Sequence, residues 1–391
     1  MILMKYRNIK FLLVALFIES FAVAYLVGYY LNIALYDIGG AELVGLYSML
    51  NGISLSLVPI IGGTFSDSLG RRRTIVLSMT VGAFCLLALS ALVPSRSASA
   101  VLPAALLNAM FIFASPAINA LASESVSEEY IGRAFSLLFF VDQFASIISY
   151  LTFGIASAFL EEYKLFIAST IAFSISIAPY LCVQETFVRR SQLRLNPLSG
   201  IFEGIRFAKQ RLKLFLVYIA LDSFLSSIAA PFVAVFLRDV HNLTVPEISK
   251  LYSLIGFLTL AGALVAGLVV DRCGSLVSLI INDSLSIPLL ILFTFPMPVA
   301  AVSLAISAFI EQLRVASDRF IVEKTEQRHR ALMLGLKRTL MGLCGMPGPL
   351  IGALIWRYSP SMTFITTAST MPLCITVLLI YRFTQMGNEQ G

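Results

Sequence analysis

Apolar runs of about twenty residues recur along the whole chain, near 10–35, 42–65, 74–94, 98–122, 134–159, 164–183, 213–237, 247–270, 275–295, 298–317, 331–356 and 361–382. A helix of that length crosses about 30 Å of hydrocarbon and satisfies its own backbone polar groups there. The pattern predicts an all-α membrane protein with twelve transmembrane helices, here called spans one to twelve. The longest polar interval, ETFVRRSQLRLNPLSGIFEGIRFAKQRLK, falls between the sixth and seventh runs and divides the chain into halves of about equal size. The expected organisation is a six-helix bundle over 1–185, a basic cytoplasmic linker over 186–212 and a second six-helix bundle over 213–391. Within the linker, IFEGIRFAKQ fits either a short amphipathic helix on the inner membrane face or plain basic chain.

Composition supports this class. The chain is 58% hydrophobic and only 13% charged, whereas soluble domains carry about 25% charged residues. Charge placement adds an orientation, because 20 of the 28 lysines and arginines lie on segments that face one side if the N-terminus is inside. Positive charge collects on the cytoplasmic side, so a multi-pass protein of the cell membrane with both termini in the cytoplasm is expected. The net charge of +6 is spread over loops that meet anionic lipid headgroups, which makes membrane lipid a partner and excludes a nucleic-acid partner. The start, MILMKYRNIKFLLVALFIESFAVAYL, is too long for a signal peptide, contains Glu19 and lacks a small-residue cleavage site. It reads as span one. The five cysteines fall in or beside the runs without metal-ligand spacing. The sequon Asn242-Leu243-Thr244 sits on an outer loop. No P-loop, metal cluster or nucleophile constellation is legible, so no cofactor and no catalytic residue are expected.

The two halves repeat each other. KFLLVALFIESF (10–21) matches KLFLVYIALDSF (213–224) at Lys, Leu, Val, Ser and Phe, with Glu19 opposite Asp222. LYS at 46–48 recurs at 251–253, and GTFSDSLG (63–70) recurs as GLVVDRCG (267–274), keeping Gly, Asp and Gly. Weak internal similarity of this kind is a mark of transporter folds built from repeats.

At these residues the chain resembles the major facilitator superfamily, whose loop between helices two and three reads roughly Gly-x-x-x-Asp-Arg-x-Gly-Arg-Arg. Here the stretch is Gly63, Asp67, Ser68, Gly70, Arg71 and Arg72, with a degenerate copy at Gly267, Asp271, Arg272 and Gly274. The resemblance implies two pseudo-symmetric six-helix bundles, and it implies that Asp67 helps latch the halves on the inner side, against the N-terminal end of span eleven. Physically, Gly70 supplies backbone freedom for a tight reversal, Gly63 lets span two approach a neighbour, and Arg71 to Arg73 hold the turn inside. A purely topogenic turn is the alternative. Ser68 replaces the motif's arginine and the arginine pair is missing after Gly274, so one arm of the charge network is expected to be absent from each half. The glycine-proline signature of the efflux subgroup is not evident in SIISYLTFGIASAF of span five, and GLCGMPGPLIGAL stands on span eleven instead. An arginine within span four is absent.

Ionisable residues inside a bilayer are costly and by default functional. The central ones are Glu19 on span one, Asp142 on span five, Asp222 on span seven, and Glu311 with Arg314 on span ten; spans one, four, seven and ten line the cavity in the superfamily. Ser303, Ser307, Glu311, Arg314 and Asp318 step by four, four, three and four, one helical stripe. The same spacing suits ion pairs within the helix, and Lys337 and Arg338 are available to neutralise acids. Asp283, on span nine, has no role assigned by the pattern.

The functional expectation is a secondary transporter working as a monomer by alternating access, with a small-molecule site between the halves. A carboxylate in an apolar cavity resists ionisation, which suits Glu19, Asp142 or Asp222 to carry protons as the coupling ion. Acidic central residues favour cationic or amphipathic substrates, hence proton-coupled export of drug-like compounds. The rivals are uptake of a metabolite such as a sugar, or of an organic anion clamped by Arg314, and, in another class, a non-transporting receptor or lipid scramblase.

Overall fold

The computed structural model describes residues 6–186, 212–325 and 330–389. The linker expectation, including IFEGIRFAKQ, lies almost wholly outside the described residues. Every regular element among those described is a helix. Among the described residues eleven segments are long and apolar enough to cross a membrane, and the first of them accounts for two crossings. It runs Arg7–Leu69, about 95 Å at 1.5 Å per residue, three times the hydrocarbon thickness. Gly39 (φ −145°, ψ 23°) and Gly40 (φ 69°, ψ −164°) break it, and Gly40 takes a left-handed conformation that favours glycine. The remaining crossings are Arg71–Leu92, Ala98–Glu124, Glu128–Ala156, Glu162–Cys182, Lys213–Asp239, Val245–Cys273, Ser275–Phe293, Val299–Lys324, Met333–Trp356 and Pro360–Thr384, spans three to twelve.

Large apolar side chains cover the outside of these helices, among them Phe84 at 67% and Leu264 at 79% exposure. In hydrocarbon such a surface needs no cover, because lipid tails are as apolar as the side chains.

Contacts sort the chain into two compact units, Met1–Leu195 with Leu237–Gly256, and Asn196–Phe236 with Phe257–Gly391. The repeat read from the sequence recurs in the packing. In the first unit span one packs on five and six, and span three on four and six; in the second, span seven packs on eleven and twelve, and span nine on ten and twelve. Close approach falls one residue away from its expected place. A Cβ on Gly62 would collide with the Phe113 carbonyl, whereas one on Gly63 would stand 4.0 Å from Pro116 in ordinary contact. One residue is about 100° of helix rotation, so Gly62 faces span four and Gly63 faces away from the tightest contact. In the second unit Gly352 does the same work against the Ile228 carbonyl.

Candidate functional site

In the first unit, span one presents two successive polar residues to the bundle interior. Glu19 is 6% exposed, and its Oε2 accepts a 2.5 Å hydrogen bond from the Tyr180 hydroxyl of span six. The next residue, Ser20, donates to Asp142 Oδ1 of span five at 2.5 Å, and the Gln143 amide donates to the other oxygen at 3.3 Å. Among the described residues no ion pair engages either acid. Both are held by neutral donors.

The second unit solves the same cost differently. Asp222, matched to Glu19 by the repeat, pairs with Arg314 of span ten. Arg314 also lies 3.7 Å from Glu311. Asp318 is not Arg314's partner; Lys337 of span eleven takes it at 2.8 Å and donates to Ser317 at 2.5 Å. Asp283 is fully buried and accepts from the Tyr218 hydroxyl and the Asn282 amide, each at 3.0 Å.

The expected single stripe on span ten is interrupted. Residues Glu311–Arg314 form a 3₁₀ turn between the helices Val299–Ile310 and Val315–Lys324, and the tighter winding re-aims the side chains beyond it. Two cavities lie beside the turn. One, of about 170 Å³, has Ser226, Ser286, Ser307 and Thr367 among apolar walls that include Phe293 and Phe364. The other, of about 290 Å³, is lined by Tyr218, Asp222, Ser317, Asp318 and Lys337. Glu311 and Arg314 border both, so the turn is the polar partition of this unit.

At the glycine turns, Gly70 (φ 100°) and Gly274 (φ 82°) adopt the left-handed region as the motif requires. Asp67 pairs with Arg71 of its own turn, and Arg71 reaches Glu124 at 3.2 Å and Ser66 at 2.9 Å. Glu185 accepts the backbone N–H groups of Arg71 and Arg72 at 2.9 and 3.0 Å. It caps span three, whose N-terminus favours an anion. In the second copy Asp271 pairs with Arg319, which also holds Glu323 at 2.6 Å. The charge network is therefore present in both units, an acid of the turn, one arginine and a glutamate near the end of span four or ten. Arg72 and Arg272 take part in no ion pair among the described residues, and Gly267 faces open space. Arg96 (3.6 Å) and Arg238 meet on Asp37.

The sequence reading did not single out Tyr180, Glu185, Arg319 or Asp37. Tyr180, Glu185 and Asp37 are identified only by partners more than 40 residues away, while Arg319 also pairs with Glu323 four residues on; all but Tyr180 had their charge as a signal.

Two repeated helical bundles with buried polar clusters at matched positions define a multi-pass membrane carrier fold. The profile of the Major Facilitator Superfamily matches residues 2–150 and 215–389, and the chain belongs to this superfamily. A mutant form of the nucleoside transporter NupG superposes with a TM-score of 0.81 at 15% identity, over 96% of this chain and 99% of that one. The human organic anion transporter MFSD10 (TETRAN) gives 0.66 at 16% identity, over 95% and 99%. The xylose transporter XylE from E. coli, in its inward open conformation, gives 0.75 at 12% identity, over 96% of each chain. No curated protein matches the sequence. At these identities the structural likeness carries the fold alone. Superfamily membership sets the coarse functional class, transport of a small molecule across a membrane.

Proposed function

We propose that this protein is a proton-coupled secondary transporter that exports organic cations or amphipathic compounds by alternating access. In this reading it acts as a monomer in the cell membrane, with both termini cytoplasmic and halves 1–185 and 213–391 joined by the linker 186–212. The observation that supports it is the pair Glu19 and Asp142, two acids in one unit held by hydroxyl and amide donors and not by a cation. Such acids are available either to a proton or to a cationic substrate, and competition between the two produces exchange. Gly63, Asp67, Gly70, Arg71 and Arg72, with their copy at Gly267, Asp271, Arg272 and Gly274, act as the inner gate.

An organic anion on Arg314 is the second reading, favoured by the place of Arg314 on both cavities. It requires the anion to displace Asp222 or Glu311 from Arg314, which makes it the weaker of the two.

Proteoliposomes with an imposed pH gradient test the proposal. Organic-cation flux that follows the gradient, and that is lost in Glu19→Gln while counterflow of substrate persists, is the expected result. Gradient-independent flux, or flux of organic anions alone, overturns it.

A further inference from the structure

Two buried carboxylates of the second half lie beside one partly exposed cation. Asp222 and Asp283 are 5% and 0% exposed; Arg314 pairs with Asp222, while Asp283 is held by the Tyr218 hydroxyl and the Asn282 amide. The titratable and charged groups that face Asp283 from the surrounding helices are Tyr218 and Asp222 on span seven, Arg314 on span ten with Glu311 beside it, and the Cys374 thiol on span twelve. Span nine itself contributes no other ionisable group. With both acids ionised, two buried carboxylates would share one cation, an arrangement that interiors avoid.

A second observation points the same way. Asp222 Oδ1 and Asn282 Oδ1 are buried acceptors without a donor among the described residues. The same cluster holds one buried donor without an acceptor, Arg314 Nε, so unpaired acceptors outnumber unpaired donors by one. One added proton supplies one of the two missing donors. Placed on Asp283, it turns that carboxyl from acceptor to donor toward the Tyr218 oxygen. The phenolic hydrogen is then released from Asp283 on the face of span seven that also carries Asp222, one helical turn further along.

We infer that Asp283, Tyr218 and Asp222 form a proton-binding site of the second half, one proton held between two carboxylates with Arg314 as the fixed counter-charge. The 290 Å³ cavity that Tyr218, Asp222 and Arg314 line gives water a route to it. No bond other than O–H is made or broken, and the proton exchanges with solvent. A part for this site in coupling rests on the proton-coupled reading above; the site itself does not.

Infrared difference spectra of the purified protein, recorded between neutral and alkaline buffer, test the inference directly. A carbonyl band of a protonated buried carboxyl is expected in the wild type, lost in Asp283→Asn and retained in Glu19→Gln. Tyr218→Phe, which cuts the relay and keeps the acid, should shift that band without removing it. Asp283→Asn resembles the protonated form and should melt close to the wild type at neutral pH. Should Asp283→Asn fail to fold, the Tyr218→Phe shift decides alone. The inference is overturned by a band insensitive to both substitutions, or by a sharp loss of stability in Asp283→Asn with an unchanged spectrum, which would make Asp283 an ionised counter-charge. Gradient-driven flux with no such band would sink this site and leave coupling to Glu19 and Asp142. The band without gradient-driven flux would sink the coupled reading and leave the site standing.

Discussion

The Tyr180 phenol donates to Glu19 Oε2 across 2.5 Å and ties span six to span one. The same position in the second half, Asp222, is tied to span ten by Arg314. Matched positions of the repeat have thus diverged into an acid held by a neutral group and an acid held by a charge.

Tyr180→Phe should remove the donor from a buried carboxylate, at a cost of about 1–3 kcal/mol, read as a lower melting temperature in detergent. Hydrogen bonds to an ionised acceptor are roughly twice as strong as neutral ones. The same substitution made in a Glu19→Gln background should therefore cost less. Strict additivity in this double-mutant cycle would contradict the bond between Tyr180 and Glu19.

Arg314→Ala leaves Asp222 buried without its cation, and breaking such a pair costs about 3–5 kcal/mol. The double variant Asp222→Asn, Arg314→Gln removes both charges and should regain most of that stability. If Arg314→Ala melts like the wild type but no longer binds substrate, Arg314 belongs to the substrate site and the structural assignment fails.

Asp67→Asn should change stability little, by about 0–1 kcal/mol for an exposed pair, because Arg71 keeps Glu124 and Ser66. Turnover in proteoliposomes should fall if the turn gates the inner side, and an unchanged rate removes that role. Glu185→Ala should cost about 1 kcal/mol through the lost cap of span three.

Gly62→Ala should be severely destabilising, since its Cβ meets backbone of span four, and Gly63→Ala should be tolerated. Expression and melting of the two neighbours provide a direct comparison. Equal behaviour would mean that spans two and four pack more loosely than the Gly62 contact requires.

The fold was legible in the sequence because a bilayer leaves few solutions. Length and apolarity alone placed the crossings, and the repeat of Gly-Asp-Gly and of Glu19 with Asp222 gave the pairing of halves. The partners were not legible. Arg314 lies 92 residues from Asp222, and Glu185 lies 114 from Arg71; nothing local marks such pairs. Helical periodicity also failed where the helix itself changes. It assigned Ser303 to Asp318 one stripe, which the 3₁₀ turn divides, and it chose Gly63 where the contact belongs to Gly62.

That turn on span ten has a mechanical consequence. A 3₁₀ segment rises about 2.0 Å per residue at three residues per turn, against about 1.5 Å at 3.6 for an α-helix. Rewinding Glu311 to Arg314 as α-helix would shorten the span by about 2 Å and swing one end against the other by about 80°. Arg314 closes this turn and carries the Asp222 ion pair, so loss of that pair should bear first on the winding of the segment that carries Asp318, Arg319 and Glu323.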